Sequence, residues 1–446
     1  MDIVIIFLIV TFLFLLSGFP VAFILSGVSL LFACIGIIFN FFDYSYLMAF
    51  PARLFGVMGN QNLLAVPLFI FMGLILEKTK IAEDLIHDMN VLFNNSNSGL
   101  AVSVIVVGAL MAASTGIVGA SVVTLGLLTY PVLTKNGYSP SVASGTICAS
   151  GTLGQIIPPS LVLILLADVL SSSYQQAQLN MGIFNPESIT IADLFLGAIL
   201  PGLILPILYI VYLKSLKIQT KNTALINKSS KILSIVYPLG LMIIVLGSII
   251  FGIATPSEAA GIGAFGAIIL AYTQKNLSKL ILDKCVSESI KLTSMVFMIL
   301  IGAILFSLVF RGLDGEEFIH RFLVEIPDDK FMTLFIVLLI MFFLGFILDF
   351  IEITFIVIPL VGPALFALGF DPLWIGILIA LVLQTSFITP PFGFSLFYLR
   401  GVLPNDVKTI EIYRGIIPFL IIQIILVIAV FIFPNLATAL PEMLLK

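Results

Sequence analysis

Charge and histidine are what this sequence has least of. Only 10% of its 446 residues are Asp, Glu, Lys or Arg, against 60% hydrophobic ones, and its mean hydropathy is +1.23. A soluble domain is about a quarter charged, and so large an apolar surplus cannot be hidden beneath a water-facing surface. The composition excludes a soluble globular protein and implies a chain that crosses a membrane many times. Two histidines, His87 and His320, are too few for the ligand sets of haem or zinc membrane enzymes. Cys34, Cys148 and Cys285 stand far apart and make neither a disulfide framework nor a CxxC metal pair, so they read as small buried hydrophobes. A net charge of −4 leaves no basic stripe for nucleic acid. There is no phosphate-binding loop, so ATP drives nothing on this chain. The N-terminus has neither the basic segment nor the cleavage site of a signal peptide, and its apolar start is read as a retained helix.

Apolar runs long enough for helical spans occur at about 3–16, 19–39, 62–77, 141–167, 191–213, 234–254, 257–273, 292–310, 373–399 and 415–434. Two further stretches, about 100–133 and 331–368, are too long for one crossing and carry small or polar residues at their middles. In the first these are Ala113-Ser114-Thr115-Gly116 through Gly119-Ala120-Ser121; in the second they run from Gly345 through Asp349 to Glu352. Each predicts a re-entrant hairpin, a backbone that survives at membrane depth only against protein or a cavity. The fold class expected is an all-α polytopic membrane protein with about ten transmembrane helices and two hairpins. Lys214, Lys217, Lys221, Lys228 and Lys231 crowd residues 214–231 without one acid, which predicts a cytoplasmic loop. Both termini then lie outside, and only Arg53, Arg311, Arg321, Lys330 and Lys446 of the twenty Lys and Arg do not face the cytoplasm.

The chain repeats itself at an offset of 232. Pro131 matches Pro363, Gly137 matches Gly369, Pro140 matches Pro372, and Pro158-Pro159 matches Pro390-Pro391. With one residue of slippage, Glu83–His87 matches Glu316–His320, and more weakly Pro20 and Gly27 match Pro256 and Gly263. The two histidines are thus repeat-equivalent and read as structural. The predicted topology inverts one copy relative to the other. Inverted repeats with discontinuous helices are a signature of secondary transporters. Four regions follow: residues 1–168 as the first repeat, 169–233 as external loop, linking span and Lys-rich loop, 234–400 as the second repeat, and 401–446 as a C-terminal span.

Within the repeats, Gly151-Thr152-Leu153-Gly154-Gln155-Ile156-Ile157-Pro158-Pro159-Ser160 interrupts an apolar segment. Two adjacent prolines remove two N–H groups and disfavour helix in the residue ahead of them. A break frees carbonyls that suit a hard cation, while the following helix start favours a carboxylate. The flanking Gly, Thr, Gln and Ser, repeated in the other half, argue for a break rather than a simple kink. Its partner, Gln384-Thr385-Ser386-Phe387-Ile388-Thr389-Pro390-Pro391-Phe392-Gly393, adds hydroxyls at Thr385, Ser386 and Thr389, which either complete an oxygen cage or bond back to their own turn. Asp349 and Glu352 at mid-bilayer demand a cation, a proton or a hydrogen-bond network, since an isolated carboxylate there costs about 2.5–3.5 kcal/mol. Glu258, in Thr255-Pro256-Ser257-Glu258, reads as a helix cap, and Arg400 as a side chain snorkelling to the cytoplasmic interface.

Four segments carry a resemblance: GTLGQIIPPS at 151–160, ATPSEAAGIGAFGA at 254–267, LGFILDFIEITFIVIPLVGP at 344–363 and QTSFITPPFGFSLFYLRGV at 384–402. Together they resemble the large membrane subunit of tripartite ATP-independent periplasmic (TRAP) transporters, over nearly the whole chain. The resemblance implies an elevator mechanism with scaffold and transport domains in the bacterial inner membrane, and sodium as coupling ion with no organic cofactor. It also implies a small four-helix membrane subunit and a periplasmic binding protein as partners, with a small organic acid as substrate. Carried onto this chain, it implies sodium contacts at Ser114, Thr115, Gly116 and Gly119 with Gly151, Thr152, Gly154 and Pro158. A second set would be Gly345 and Asp349 with Thr385, Ser386 and Thr389. Substrate contacts are implied at Ser121, Gln155, Ser160, Glu352 and Gly393. The external stretch 168–192 is expected to touch the binding protein. The competing reading is a self-sufficient sodium- or proton-coupled anion symporter. A channel predicts a continuous polar pore face that the sequence does not carry, and an intramembrane protease predicts a paired catalytic set that the repeat lacks, because Ile117 stands opposite Asp349.

Overall fold

In the computed structural model, residues 3–79, 81, 85, 88, 98–218, 232–324 and 329–445 are described. The match of Glu83–His87 to Glu316–His320 lies outside the described residues, as does the Lys-rich loop from 219 to 231. Every element among the described residues is helical. The first half contains α1 (Ile3–Leu15), α2 (Val21–Ile38), α3 (Ser45–Met48), α4 (Phe50–Met58), α5 (Ala65–Lys78), α6 (Gly99–Thr115), α7 (Val118–Lys135), α8 (Pro140–Thr152), α9 (Leu161–Asn180) and α10 (Ile191–Ser215). The second contains α11 (Ile232–Ile250), α12 (Pro256–Thr273), α13 (Lys279–Gly312), α14 (Gly315–Val324), α15 (Lys330–Leu344), α16 (Phe350–Ala367), α17 (Pro372–Ile388), α18 (Phe394–Val402), α19 (Thr409–Ile432) and α20 (Asn435–Leu444).

By length and composition, six of the described helices can cross a membrane, and a seventh span is possible if Ser45–Met58 and Asn62–Lys78, bent by 60°, act as one. Several other expected spans fall on shorter apolar helices such as Ile3–Leu15, Val236–Ile250 and Pro372–Ile388. The sequence reading missed α3 and α4 altogether. It also started the eighth span at 292, whereas α13 begins at Lys279 and runs 34 residues. Residues 279–291 are too polar for a hydropathy window, but they hold no Pro or Gly and propagate the helix unbroken.

The helix breaks expected within both predicted hairpins are present. In the first, α6 gives way to α7 at Gly116 and Ile117; in the second, α15 gives way to α16 at residues 345–349. The repeat is exact in local structure: α7 and α16 each span 18 residues, with both ends displaced by 232. Gly137 and Gly369 follow them at φ +90° and +80°, a left-handed turn that glycine adopts without a steric cost. Ser139 and Asp371 then cap α8 and α17, each accepting from the backbone N–H three residues on, Val142 at 3.3 Å and Trp374 at 2.8 Å.

The chain forms two compact units that interleave along the sequence. Unit 1 holds residues 1–63, 165–190 and 291–375. Its core is aromatic: Phe7 stacks on Phe306 with ring centroids 4.9 Å apart and meets Phe32 edge-on at 5.1 Å. Unit 2 holds 64–164, 191–290 and 376–446, and therefore the first hairpin and both double prolines. Its α8 is buried along its whole length from Ala143 to Thr152 and consists largely of small and hydroxyl residues. Small residues let backbones approach where a membrane offers no hydrophobic drive. A Cβ on Gly145 would strike the Gly415 carbonyl of α19, and one on Gly415 would strike that of Ser141. The buried hydroxyls satisfy themselves locally; Ser144 donates to the Pro140 carbonyl at 2.7 Å and Thr146 to that of Val142 at 2.8 Å.

Of the cysteines, Cys148 and Cys285 are buried as expected, but Cys34 is exposed. Arg400 does more than snorkel, because its guanidinium donates to the Val407 carbonyl in the following turn.

Candidate functional site

The first double-proline segment is a true break. Helix α8 stops at Thr152, one tight turn covers Leu153–Gln155, and helix resumes only at Leu161. The second is similar, with α17 ending at Ile388 and α18 starting at Phe394 after Gly393. Both Pro-Pro bonds, 158–159 and 390–391, are cis.

Glycines seat the first hairpin against these breaks. Gly116, at φ +62°, lies so close to the start of α9 that a Cβ would stand 2.9 Å from Leu161 Cβ and 3.0 Å from its nitrogen. Gly119 rests on the Tyr398 ring, 3.0 Å from where its Cβ would be, and Gly126 on Leu399 of α18 at 2.8 Å. Gly151 faces Val122, and Gly108 faces Ser150. The hairpin tip, the α8–α9 break and the start of α18 thus form one packed cluster in unit 2. It brings Gly116, Gly119 and Gly151 together as predicted, with Thr152, Gly154, Pro158 and the buried Ser121, Gln155 and Ser160 on the same elements. The side chains of Ser114 and Thr115 lie outside the described residues.

The oxygens at the breaks have a common pattern. Thr385 donates to the Leu381 carbonyl, Ser386 to Leu383 and Thr389 to Thr385, each at 2.7 Å. Thr152 donates to Ala149 at 3.0 Å and Ser160 to the Gln155 carbonyl at 3.4 Å. Each hydroxyl proton is thereby used, while the oxygen lone pairs remain acceptors. Two buried glutamines are less satisfied: Gln155 Oε1 and both amide atoms of Gln384 have no hydrogen-bond partner among the described residues. A buried amide without a partner costs about 1–3 kcal/mol, so two such groups beside matching breaks call for a ligand or an ordered water. Neutral hydroxyl and amide oxygens are a donor set for a hard cation. Gly393 is fixed by its setting, since a Cβ would collide with the Phe387 carbonyl, which accepts from Ser395 at 2.8 Å.

The carboxylates of the second hairpin have a local explanation. Asp349 is the N-cap of α16 and accepts from Phe350 N–H at 2.7 Å, while Glu352 reaches back to Asp349 N–H at 3.0 Å. This capping box is the hydrogen-bond network that the sequence demanded. Thr255 and Glu258 form another at the start of α12, as the sequence predicted. Gly345, Asp349 and Glu352 belong to unit 1, and Thr385, Ser386, Thr389 and Gly393 to unit 2.

A model of the tripartite ATP-independent periplasmic transporter family, DctM component, matches residues 8–436. The chain belongs to this family. Among its TRAP relatives, the C4-dicarboxylate TRAP transporter large permease protein DctM of Pseudomonas aeruginosa is 27% identical, over 88% of this chain and 89% of that one. The sialic acid TRAP transporter large permease protein SiaM of Vibrio cholerae is 25% identical over 97% and 96%. The fold is that of the Alcanivorax borkumensis YdaH transporter, with a TM-score of 0.65 at 14% identity over 89% and 90% of the two chains. This TRAP chain is therefore a multi-pass membrane protein of a bacterial transporter family, and its relatives are permeases.

Sequence reading of the TRAP chain missed three features. Gln384 stood in the quoted motif without a role; its position ahead of the second double proline, like that of Gln155 ahead of the first, was the available signal. Glu77 was hidden inside a predicted span, yet it accepts from Thr124 of the hairpin at 2.9 Å. Arg53 lies on α4, a helix that the hydropathy pattern did not predict.

Proposed function

We propose that this TRAP permease drives uptake of a small organic acid with the sodium gradient, by elevator movement of hairpins and broken helices against a scaffold, in the bacterial inner membrane. The observation that carries the reading is the buried Gln155 Oε1 and the buried Gln384 amide, without partners among the described residues and beside matching helix breaks, with hydroxyl oxygens whose protons are already used. Sodium is bound by the first hairpin tip with Gly151–Pro158, and a second ion by the oxygens of the second break at Thr385–Thr389. Because the capping box accounts for Asp349 and Glu352 without an ion, they are left out of the ion ligands proposed. The substrate's carboxylate follows from relatives named for C4-dicarboxylates and sialic acid, both organic acids. A small four-helix membrane subunit and a periplasmic binding protein complete the system, the latter meeting the 168–192 segment, which is exposed over residues 179–185.

Thermal melting of the purified chain in sodium, against matched potassium and choline, tests the coupling ion. Sodium at ten times its Kd should add about 1.4 kcal/mol of apparent stability, and Thr385→Ala should reduce that increment. Equal melting in all three salts at saturating concentration would exclude sodium and favour the proton-coupled symporter.

A further inference from the structure

Unit 1 also holds a partly open cavity of about 460 Å³, lined from α4, α9, α13 and α16. That is roughly fifteen water volumes at about 30 Å³ each. Leu300, Phe355 and Pro363 line it together with Ser173, Gln176 and Ser307, and its charged lining residues are Arg53, Asp168 and Arg311. Arg53 is half-buried, and its guanidinium makes no ion pair or hydrogen bond among the described residues. Its neighbour Arg311 is already spent, with Nη2 at 2.6 Å and Nε at 2.7 Å from the same Glu316 oxygen. That pair is neutral, which leaves Arg53 as the unpaired positive charge among the cavity's lining residues.

The cavity also carries a negative charge. Asp168 accepts from the Asn60 amide at 2.8 Å and has no cationic partner among the described residues. Arg53 and Asp168 thus line one cavity as two opposite charges that no ion pair joins. A half-buried charge without a counter-charge loses hydration and regains nothing until something arrives to pair with it.

We propose that this cavity binds a small zwitterionic acid, with its carboxylate on the Arg53 guanidinium and its ammonium group on the Asp168 carboxylate. The inference rests on the organic-acid transport reading and narrows it to amino acids and their betaine-like relatives. A dianion would meet Asp168 as a like charge, and a simple amine would leave Arg53 unpaired, so the two poles reject both by repulsion or desolvation. A guanidinium presents two parallel N–H donors to a carboxylate, which fixes the ligand's direction as well as its charge.

Titration calorimetry on the purified full chain, with three four-carbon probes, tests this without transport: 4-aminobutyrate, succinate and n-butylamine. The wild type should bind 4-aminobutyrate about tenfold or more tightly than either other probe. Asp168→Asn should remove the preference over succinate. Arg53→Gln should lose both carboxylate probes, while Arg53→Lys, which keeps the charge, retains 4-aminobutyrate more weakly. If Arg53→Gln does not fold, Asp168→Asn and Arg53→Lys carry the test. Failure of the wild type to bind any probe, a wild-type preference for succinate or n-butylamine, or an unchanged preference in Asp168→Asn would overturn the assignment. Sodium-driven uptake of 4-aminobutyrate into proteoliposomes that hold the chain with its small membrane subunit, supplied with the binding protein, separates the two claims. Uptake indifferent to both substitutions sinks the cavity alone; intact binding without uptake sinks the transport reading alone.

Discussion

Gly116 and Gly137 both have a left-handed backbone, at φ +62° and +90°, but only Gly116 has a neighbour where a Cβ would go. Gly137→Ala should therefore cost only the conformational strain, about 1–2 kcal/mol. Gly116→Ala adds overpacking against Leu161 of about 1–3 kcal/mol, and thermal melting of the two variants should rank them in that order. Gln384 allows a sharper test. Its unpartnered amide is a liability to the folded chain unless something binds it. Gln384→Leu should melt no lower than wild type in choline yet lose the sodium increment; a variant that melts lower in choline and keeps the increment would assign the amide to structure. The glycines were legible in the sequence as points where a helix would stop. What they touch was not, because contacts such as Gly119 with Tyr398 join residues 279 positions apart in the chain.

Helices α7 and α16 show how far local signals reach. Their equal lengths, the left-handed glycines after them and the capped starts of the next helices all follow from residues within a few positions of each boundary, and all were readable as a repeat. The cap at Asp349 separates two roles for one carboxylate. Asparagine caps as well as aspartate does, whereas alanine loses about 0.5–2 kcal/mol. Asp349→Asn should therefore keep both the melting temperature in choline and the sodium increment, while Asp349→Ala lowers the former. A sodium response lost in Asp349→Asn alone would return the carboxylate to the ion site. The same reasoning explains what was misread. Residues 45–58 and 279–291 form helices without an apolar run of spanning length, so a hydropathy reading passes over them.

For the molecule as a whole, sidedness is the open geometric prediction, and single cysteines can report it. In a Cys34→Ser background, a membrane-impermeant maleimide should label Phe184→Cys in intact cells, since Phe184 is 94% exposed on the predicted external segment. Lys275→Cys, on the predicted cytoplasmic side, should react only after permeabilisation. Labelling in the reverse order would invert the topology drawn from the lysine loop. By itself the sequence determined that the chain is helical and membrane-embedded, that it repeats at an offset of 232, and where its helices break. Composition, prolines and caps act over single turns, so no tertiary information was needed. Only the tertiary structure decided that Gln155 Oε1 and the Gln384 amide are buried without partners among the described residues, that Asp349 and Glu352 satisfy each other's helix start, and that Arg53 and Asp168 share a cavity. Burial and pairing depend on which distant helices pack together, and nothing in the spacing of residues 53 and 168 announces that they line the same cavity.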